Sequence, residues 1–117
     1  MKLRKIIKVA IDSPSAAGAG SISRKIAKHY NLIYCDTGKI YRLLAYALMG
    51  KKINNKIKYL KKVVQKINLK KLQNKNLLNN EVAYVASQIS KDIKVRKIVL
   101  KFQKKIAYNP PKKYNGS

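Results

Sequence analysis

The feature that most constrains the fold is a short apolar run followed by a loop of small residues and then a helical pattern. Residues 6–11 form the apolar run, which is typical of a short buried strand. Small residues fill 12–20, and apolar residues then recur at helical spacing over 21–30. A second apolar run at 32–35 ends in a turn signal. Strand, loop, helix and strand in this order predict the opening of a parallel α/β fold.

The remainder of the chain has a mainly helical pattern. Apolar residues at helical spacing predict four further helices, over 40–48, 57–67, 82–89 and 95–106. The connection at 69–78 is polar and rich in asparagine, with weak strand character. No internal repeat is present, so the pattern indicates a single arrangement of helices following the α/β opening.

Length and composition suit one small domain or part of a larger one. The 117 residues are 46% hydrophobic, which is enough to build a core and excludes a disordered tail. No apolar run approaches the roughly 18 residues that a membrane span needs, and no signal peptide is recognisable. The single cysteine, Cys35, cannot form an internal disulfide. We therefore expect a cytoplasmic protein without a membrane partner.

The strong positive charge is the main argument for a different function. Twenty-eight Lys and Arg against four acidic residues give a formal net charge of +24, which suggests a nucleic-acid partner. A basic RNA-binding or ribosome-associated protein is therefore an open alternative. However, the lysines are scattered among apolar helix positions, and arginine, the preferred residue for bidentate contacts, is scarce. On balance we do not expect a nucleic-acid partner. The arginines are Arg4, Arg24, Arg42 and Arg96.

The loop before the first predicted helix has the composition of a phosphate-binding loop, with two departures. In such loops glycines let backbone N–H groups approach phosphate oxygens, as Gly18 and Gly20 would here. Ser21 would place a magnesium-binding hydroxyl at the helix start, where the helix N-terminus also favours an anion. Ser13 replaces the usual first glycine, and Ala19 replaces the lysine that normally contacts the terminal phosphates. Taken alone, the loop is equally compatible with an ordinary strand-to-helix turn.

A longer set of motifs resembles bacterial cytidylate kinase, a P-loop nucleoside monophosphate kinase. The resemblance covers nearly all 117 residues, and its most specific part is the Asp-Thr-Gly-x-x-Tyr-Arg element at 36–42. It implies an α/β fold, a P-loop NTPase-type parallel sheet with helices, plus a mostly helical monophosphate-binding insertion. Another P-loop phosphotransferase, such as an adenylate or shikimate kinase, fits these motifs less well. The other matching stretches are 11–14, 18–20, 34–35, 81–82, 86–89, 95–96 and Gln103.

The resemblance implies transfer of the γ-phosphate of ATP to CMP or dCMP, with Mg²⁺ as cofactor. The ATP phosphates would lie against the loop, and Ser21 would also hold the metal ion. The loop residues concerned are Ser13, Gly18, Ala19, Gly20 and Ser21.

The resemblance also implies an acceptor site for CMP on four side chains. Arg42 would grip the acceptor phosphate, where a planar guanidinium suits bidentate contact. Thr37 would line the acceptor pocket, and Ser87 and Arg96 match positions that contact the cytosine ring in this family. Read singly, Ser87 and Arg96 are equally compatible with solvated surface residues.

The same resemblance divides the chain into three regions. Residues 1–55 would form the P-loop core, 56–111 the helical monophosphate-binding region, and 112–117 the start of a truncated extended segment. In this family the next strand lies between the first two, so 6–11 and 32–35 would keep unpaired edges. We therefore expect a monomeric fragment that is inactive as a 117-residue chain.

The absent loop lysine affects the expected activity. Phosphoryl transfer depends on positioning and charge stabilisation, and losing one preorganised donor costs about 10²–10³-fold in rate. Arg24 or Lys25 could reach back from the helix, although both lie a turn further along than an easy replacement requires. A non-catalytic nucleotide-binding paralogue is therefore another open interpretation.

Overall fold

The computed structural model describes residues 5–11, 19–68 and 70–117. Within these ranges the chain forms five α-helices and two short 3₁₀ turns. The five predicted helices are therefore confirmed, with shifts of a few residues at their ends. The helices are α1 (Ala19–Tyr30), α2 (Thr37–Leu48), α3 (Lys56–Gln65), α4 (Asn80–Ile89) and α5 (Ile93–Tyr108).

Helices α2 to α5 each begin after an Asp or Asn whose side chain caps the first turn. Asp36 and Asn55 accept hydrogen bonds from backbone N–H groups at 3.0 and 3.1 Å. Asn79 and Asp92 do the same for the later helices at 2.7 and 2.8 Å. Each cap satisfies an N–H group that would otherwise lack an intrahelical partner. The sequence thus sets these four helix starts by local chemistry.

The connection at 69–78, predicted to have weak strand character, is helical where the structure describes it. It forms 3₁₀ turns at Lys71–Gln73 and Lys75–Leu78. The side chains of Asn68 and Asn74 accept hydrogen bonds from backbone N–H groups of these turns, at 2.9 and 3.0 Å. Such local bonds favour a turn over an extended backbone, so the strand prediction was wrong.

The chain divides into two compact units, of which the helical unit spans Asp36–Phe102. Its core lies mainly between α2 and α4, and α3 and both 3₁₀ turns also pack on α2. Burial of these apolar faces is the principal stabilising contribution to the unit. The residues with little or no exposure are Ile40, Leu44, Ala45, Leu60, Leu77, Val82, Val95 and Val99.

The terminal unit consists of Met1–Cys35 together with Gln103–Ser117. Its described part contains α1, the end of α5 and two isolated parallel bridges, which join Gly116 to Ile7 and to Leu32. The last residues of the chain therefore lie between the two apolar runs near its start.

Gly116 is needed at this position because the backbones approach closely. Its φ is +155°, and a Cβ atom there would overlap the carbonyl group of Ile7. Ser117 N–H donates to the Ile7 carbonyl at 3.1 Å, and Ile33 N–H donates to the Gly116 carbonyl at 2.9 Å. The expectation that both apolar runs keep unpaired edges is therefore wrong at Ile7 and at Leu32–Ile33.

The prediction of a buried strand at 6–11 is also wrong. Ile7, Val9 and Ile11 are 39%, 41% and 42% exposed. By contrast, Leu32 and Ile33 are buried. The described residues contain isolated bridges but no strand, so the predicted parallel sheet is not confirmed.

Candidate functional site

The N-terminal turn of α1 carries the predicted phosphate-binding residues that the structure describes. The helix begins at Ala19, so Gly20 and Ser21 both lie in its first turn. The N–H groups of a first turn lack intrahelical acceptors, and they attract anions together with the helix dipole. The Ser21 side chain is exposed there. The predicted loop residues Ser13 and Gly18 lie outside the described residues.

Arg24 turns back along α1 towards this first turn. A Cβ atom built on Gly20 would lie 3.5 Å from Arg24 Nη1 and 4.0 Å from Arg24 Nη2. Side chains in a helix tilt towards its N-terminus, so a long residue at position i+4 covers position i. The Arg24 guanidinium therefore reaches back over one helical turn to Gly20. Whether it replaces the loop lysine stays a prediction.

The hydroxyl of Tyr34 approaches the same point. It lies 3.9 Å from the Cβ position built on Gly20, and the tyrosine itself is half-buried. In the sequence, Tyr34 belongs to an apolar run and to a stretch that resembles the family, and neither predicts its approach to Gly20. Its polar end, following two buried apolar residues, was the available signal that this side chain reaches a solvent-facing edge.

Thr37 and Arg42 share helix α2, at its start and its middle. Asp36 caps this helix. Its side chain accepts a hydrogen bond from Gly38 N–H, and its backbone carbonyl accepts one from Ile40 N–H. Both Thr37 and Arg42 are half-buried. The capped start holds the Thr37 backbone in place, and burial of the neighbouring apolar face fixes the rotation of α2 about its axis.

Ser87 and Arg96 lie on α4 and α5, and both side chains are exposed. The Ser87 hydroxyl donates to the Tyr84 carbonyl of its own helix at 2.6 Å. The Arg96 backbone N–H donates to the Asp92 carbonyl at 3.0 Å, which places Arg96 in the first turn of α5.

The four predicted acceptor residues are thus distributed over three helices of one unit. Packing of α2 on α4 brings the helices that carry Thr37, Arg42 and Ser87 against each other. A short turn between α4 and α5 connects Ser87 to the helix that carries Arg96. The structure therefore packs together the two helices that carry Thr37, Arg42 and Ser87, while an acceptor site that includes Arg96 and the roles of the individual side chains stay predictions.

The described residues contain no group of three or more His, Cys, Asp or Glu side chains able to hold a metal ion. A magnesium ion needs no such group where nucleotide phosphates supply most of its ligands. The exposed hydroxyl of Ser21, at a helix start that attracts anions, could supply one ligand to such an ion.

Among the described residues, every helix is too short or too polar to span a membrane.

Comparison with known proteins agrees with the motifs. A family model described as cytidylate kinase matches residues 9–114. The chain is 39% identical over 109 residues to a cytidylate kinase of Bartonella bacilliformis, covering 88% of the chain and 48% of that relative. It is 36% identical over 104 residues to a cytidylate kinase of Bradyrhizobium sp. strain ORS 278, covering 88% of the chain and 49% of that relative.

A third relative gives a similar result. The cytidylate kinase of Mycoplasma genitalium is 33% identical over 111 residues, which cover 86% of the chain and 50% of that relative. The chain therefore spans about half the length of the curated relatives that it matches. No solved structure matches it.

Proposed function

Because the chain belongs to the cytidylate kinase family, we propose that it carries the nucleotide-binding residues of a kinase that phosphorylates CMP or dCMP with ATP. The supporting observation is that the family match covers both the loop before α1 and the three helices bearing the predicted acceptor residues. A match to the loop alone would support only a phosphate-binding turn. The wider match supports a nucleoside monophosphate as the acceptor. We expect the protein to act as a monomer in the cytoplasm.

The start of α1 would bind the phosphates of ATP. Gly20 and Ser21 lie in a first turn whose N–H groups attract anions, and Ser13, Gly18 and Ala19 precede or begin it. Ser21 would supply one oxygen ligand to Mg²⁺, which when bound neutralises negative charge on the phosphates. The chain's own contribution is to orient the phosphates with backbone N–H groups.

The helical unit would bind CMP. Arg42 is half-buried on α2, and its planar guanidinium can hold a phosphate in bidentate fashion. Thr37 would contact the acceptor from the capped end of the same helix. Ser87 and Arg96 would contact the cytosine ring and so discriminate CMP from AMP. This chain covers about half of its relatives' length, so we expect it to show nucleotide binding rather than turnover.

Calorimetric titration of the purified 117-residue chain with CMP tests this proposal. We expect binding that is selective for CMP over AMP, and Arg96→Ala should weaken it about tenfold or more, as loss of a charge-assisted hydrogen bond does. Lys97→Ala is the matched control, because Lys97 is also exposed and cationic and lies next to Arg96 on α5. This control should leave the CMP affinity within about twofold.

A specific binding result would refute the proposal. A folded chain that binds no CMP but binds a short RNA, with affinity falling steeply as salt rises, would refute the kinase proposal. Circular dichroism of each variant shows whether its helices are intact during the titration. Equal loss of CMP affinity in Arg96→Ala and Lys97→Ala would indicate a general charge effect instead of a cytosine contact.

A further inference from the structure

The loop predicted to bind phosphate before α1 contains no cationic residue, and neither does the first turn of α1. Residues 9–23 contain no Lys or Arg, although the whole chain has 28 of them. Ala19 occupies the position where such loops carry the lysine that contacts the terminal phosphates. Arg24 is therefore the first cationic residue after the loop. A loop of this composition can orient phosphate through backbone N–H groups, but it supplies no cationic side chain to the terminal phosphates.

We infer that Arg24 supplies this missing charge by binding the terminal phosphates of ATP at the start of α1. The inference rests on the proposed function, because it assumes that ATP binds at this helix end. Arg24 Nη1 and Nη2 lie 3.5 and 4.0 Å from the Cβ position built on Gly20, within the first turn of the helix. The guanidinium thus reaches back by a full helical turn to the region whose N–H groups attract anions.

Tyr34 makes the same place suitable for an anion. Its hydroxyl lies 3.9 Å from the Cβ position on Gly20, so a guanidinium and a hydroxyl both lie within 4.0 Å of one point. Both groups can donate hydrogen bonds to phosphate oxygens. Helix α1 itself carries no acidic residue that would compete with a phosphate for Arg24.

Gly20 lies beside both donors. The nearest atoms to a Cβ there would be those of Arg24 and Tyr34, at ordinary van der Waals distances of 3.5 to 4.0 Å. A phosphate oxygen at the start of α1 would contact backbone N–H groups and the guanidinium together, which suits the planar donor geometry of arginine.

The test measures ATP affinity in the presence of Mg²⁺ by calorimetry, on the full chain and four variants. Arg24→Ala should weaken ATP binding about 10- to 100-fold, which is the loss expected for a charge-assisted contact with phosphate. Lys28→Ala is the matched control, since Lys28 is an exposed cation on the same helix one turn further from the site. It should change ATP affinity by less than about twofold.

A restored lysine separates a phosphate contact from a structural role. Ala19→Lys in the Arg24→Ala background should recover most of the lost ATP affinity, because the lysine would take over the same charge. Ala19→Lys alone should add less, since Arg24 already supplies that charge. A helix weakened by loss of Arg24 packing would not be rescued in this way. Binding of AMP, which lacks the terminal phosphates, should be the same in the original chain and in Arg24→Ala.

Each failure has a separate meaning. If the original chain binds ATP and Arg24→Ala binds it equally well, the role of Arg24 is refuted and the proposed function stands. If the chain binds CMP but not ATP, the role of Arg24 is likewise refuted while the acceptor site stands. If it binds neither nucleotide, both proposals are refuted. If Lys28→Ala weakens ATP as much as Arg24→Ala, the effect is general electrostatics, and the specific role is overturned.

Discussion

Replacing Leu77 by Ala is expected to destabilise the helical unit far more than the same change at its neighbour, Leu78. The two leucines are adjacent in the second 3₁₀ turn, Lys75–Leu78, but their environments are opposite. Leu77 is 1% exposed and Leu78 is 64% exposed. The turn packs against α2 and α4, so the Leu77 side chain contributes to the core of the unit. The pair therefore compares one chemical change in two environments.

The magnitude follows from the burial. A buried Leu→Ala change removes apolar contacts and leaves a cavity, at a cost of about 3–5 kcal/mol. Leu78→Ala removes a side chain that is already mostly in water, so the free energy of unfolding should change by less than about 0.5 kcal/mol. In urea, with a slope of about 1–3 kcal/mol per molar, Leu77→Ala should lower the unfolding midpoint by about 1 M or more.

Urea unfolding followed by circular dichroism at the helix band measures both variants against the original chain. Equal midpoints for Leu77→Ala and Leu78→Ala would refute the placement of the 3₁₀ turn, because burial is the sole difference on which the prediction depends. A larger loss for Leu78→Ala would show that the turn is rotated, with the outer leucine in the core.

Two further predictions concern the cap of α2 and the bridges of the terminal unit. Asp36→Ala should lower the free energy of unfolding by about 1 kcal/mol, because it removes the cap of α2. Asp36→Asn keeps an acceptor oxygen, so its free energy of unfolding should fall by less. Thermal melts of the two variants test this order. Gly116→Ala should break the two parallel bridges, because the new Cβ overlaps the Ile7 carbonyl. Amide hydrogen exchange should then accelerate at Ser117 and Ile33, whose N–H groups donate across these bridges, while unchanged protection of both amides would contradict the described pairing.

The helices were predictable from the sequence because their determinants are local. Apolar residues at helical spacing mark the buried faces of α2 to α5, and an Asp or Asn cap stands directly before each of these helices. The same local chemistry explains the one clear error among the connections. Asn68 and Asn74 accept hydrogen bonds from nearby backbone N–H groups and so favour turns. The overall composition of this polar, Asn-rich connection does not reveal such individual bonds.

The candidate site was only partly predictable in this way. The element at 36–42 and the composition of the loop carry the resemblance to cytidylate kinase, and a resemblance of this kind can be recognised from the sequence alone. The return of Arg24 over Gly20 depends on side-chain direction along a helix, and the approach of Tyr34 to the same point depends on packing between α1 and the segment after it. Neither can be read from residue order.

What the sequence determined by itself is therefore the set of helices, their caps and the family to which the motifs belong. The tertiary structure decided which residues meet. Gly116 lies between Ile7 and Leu32, although more than 80 residues separate it from Leu32 in the chain. Pairing of this kind depends on where the whole fold brings the backbone, and local propensity carries no information about it. Helix formation depends on neighbours three or four residues apart, whereas bridges and site geometry depend on contacts that only the folded chain creates.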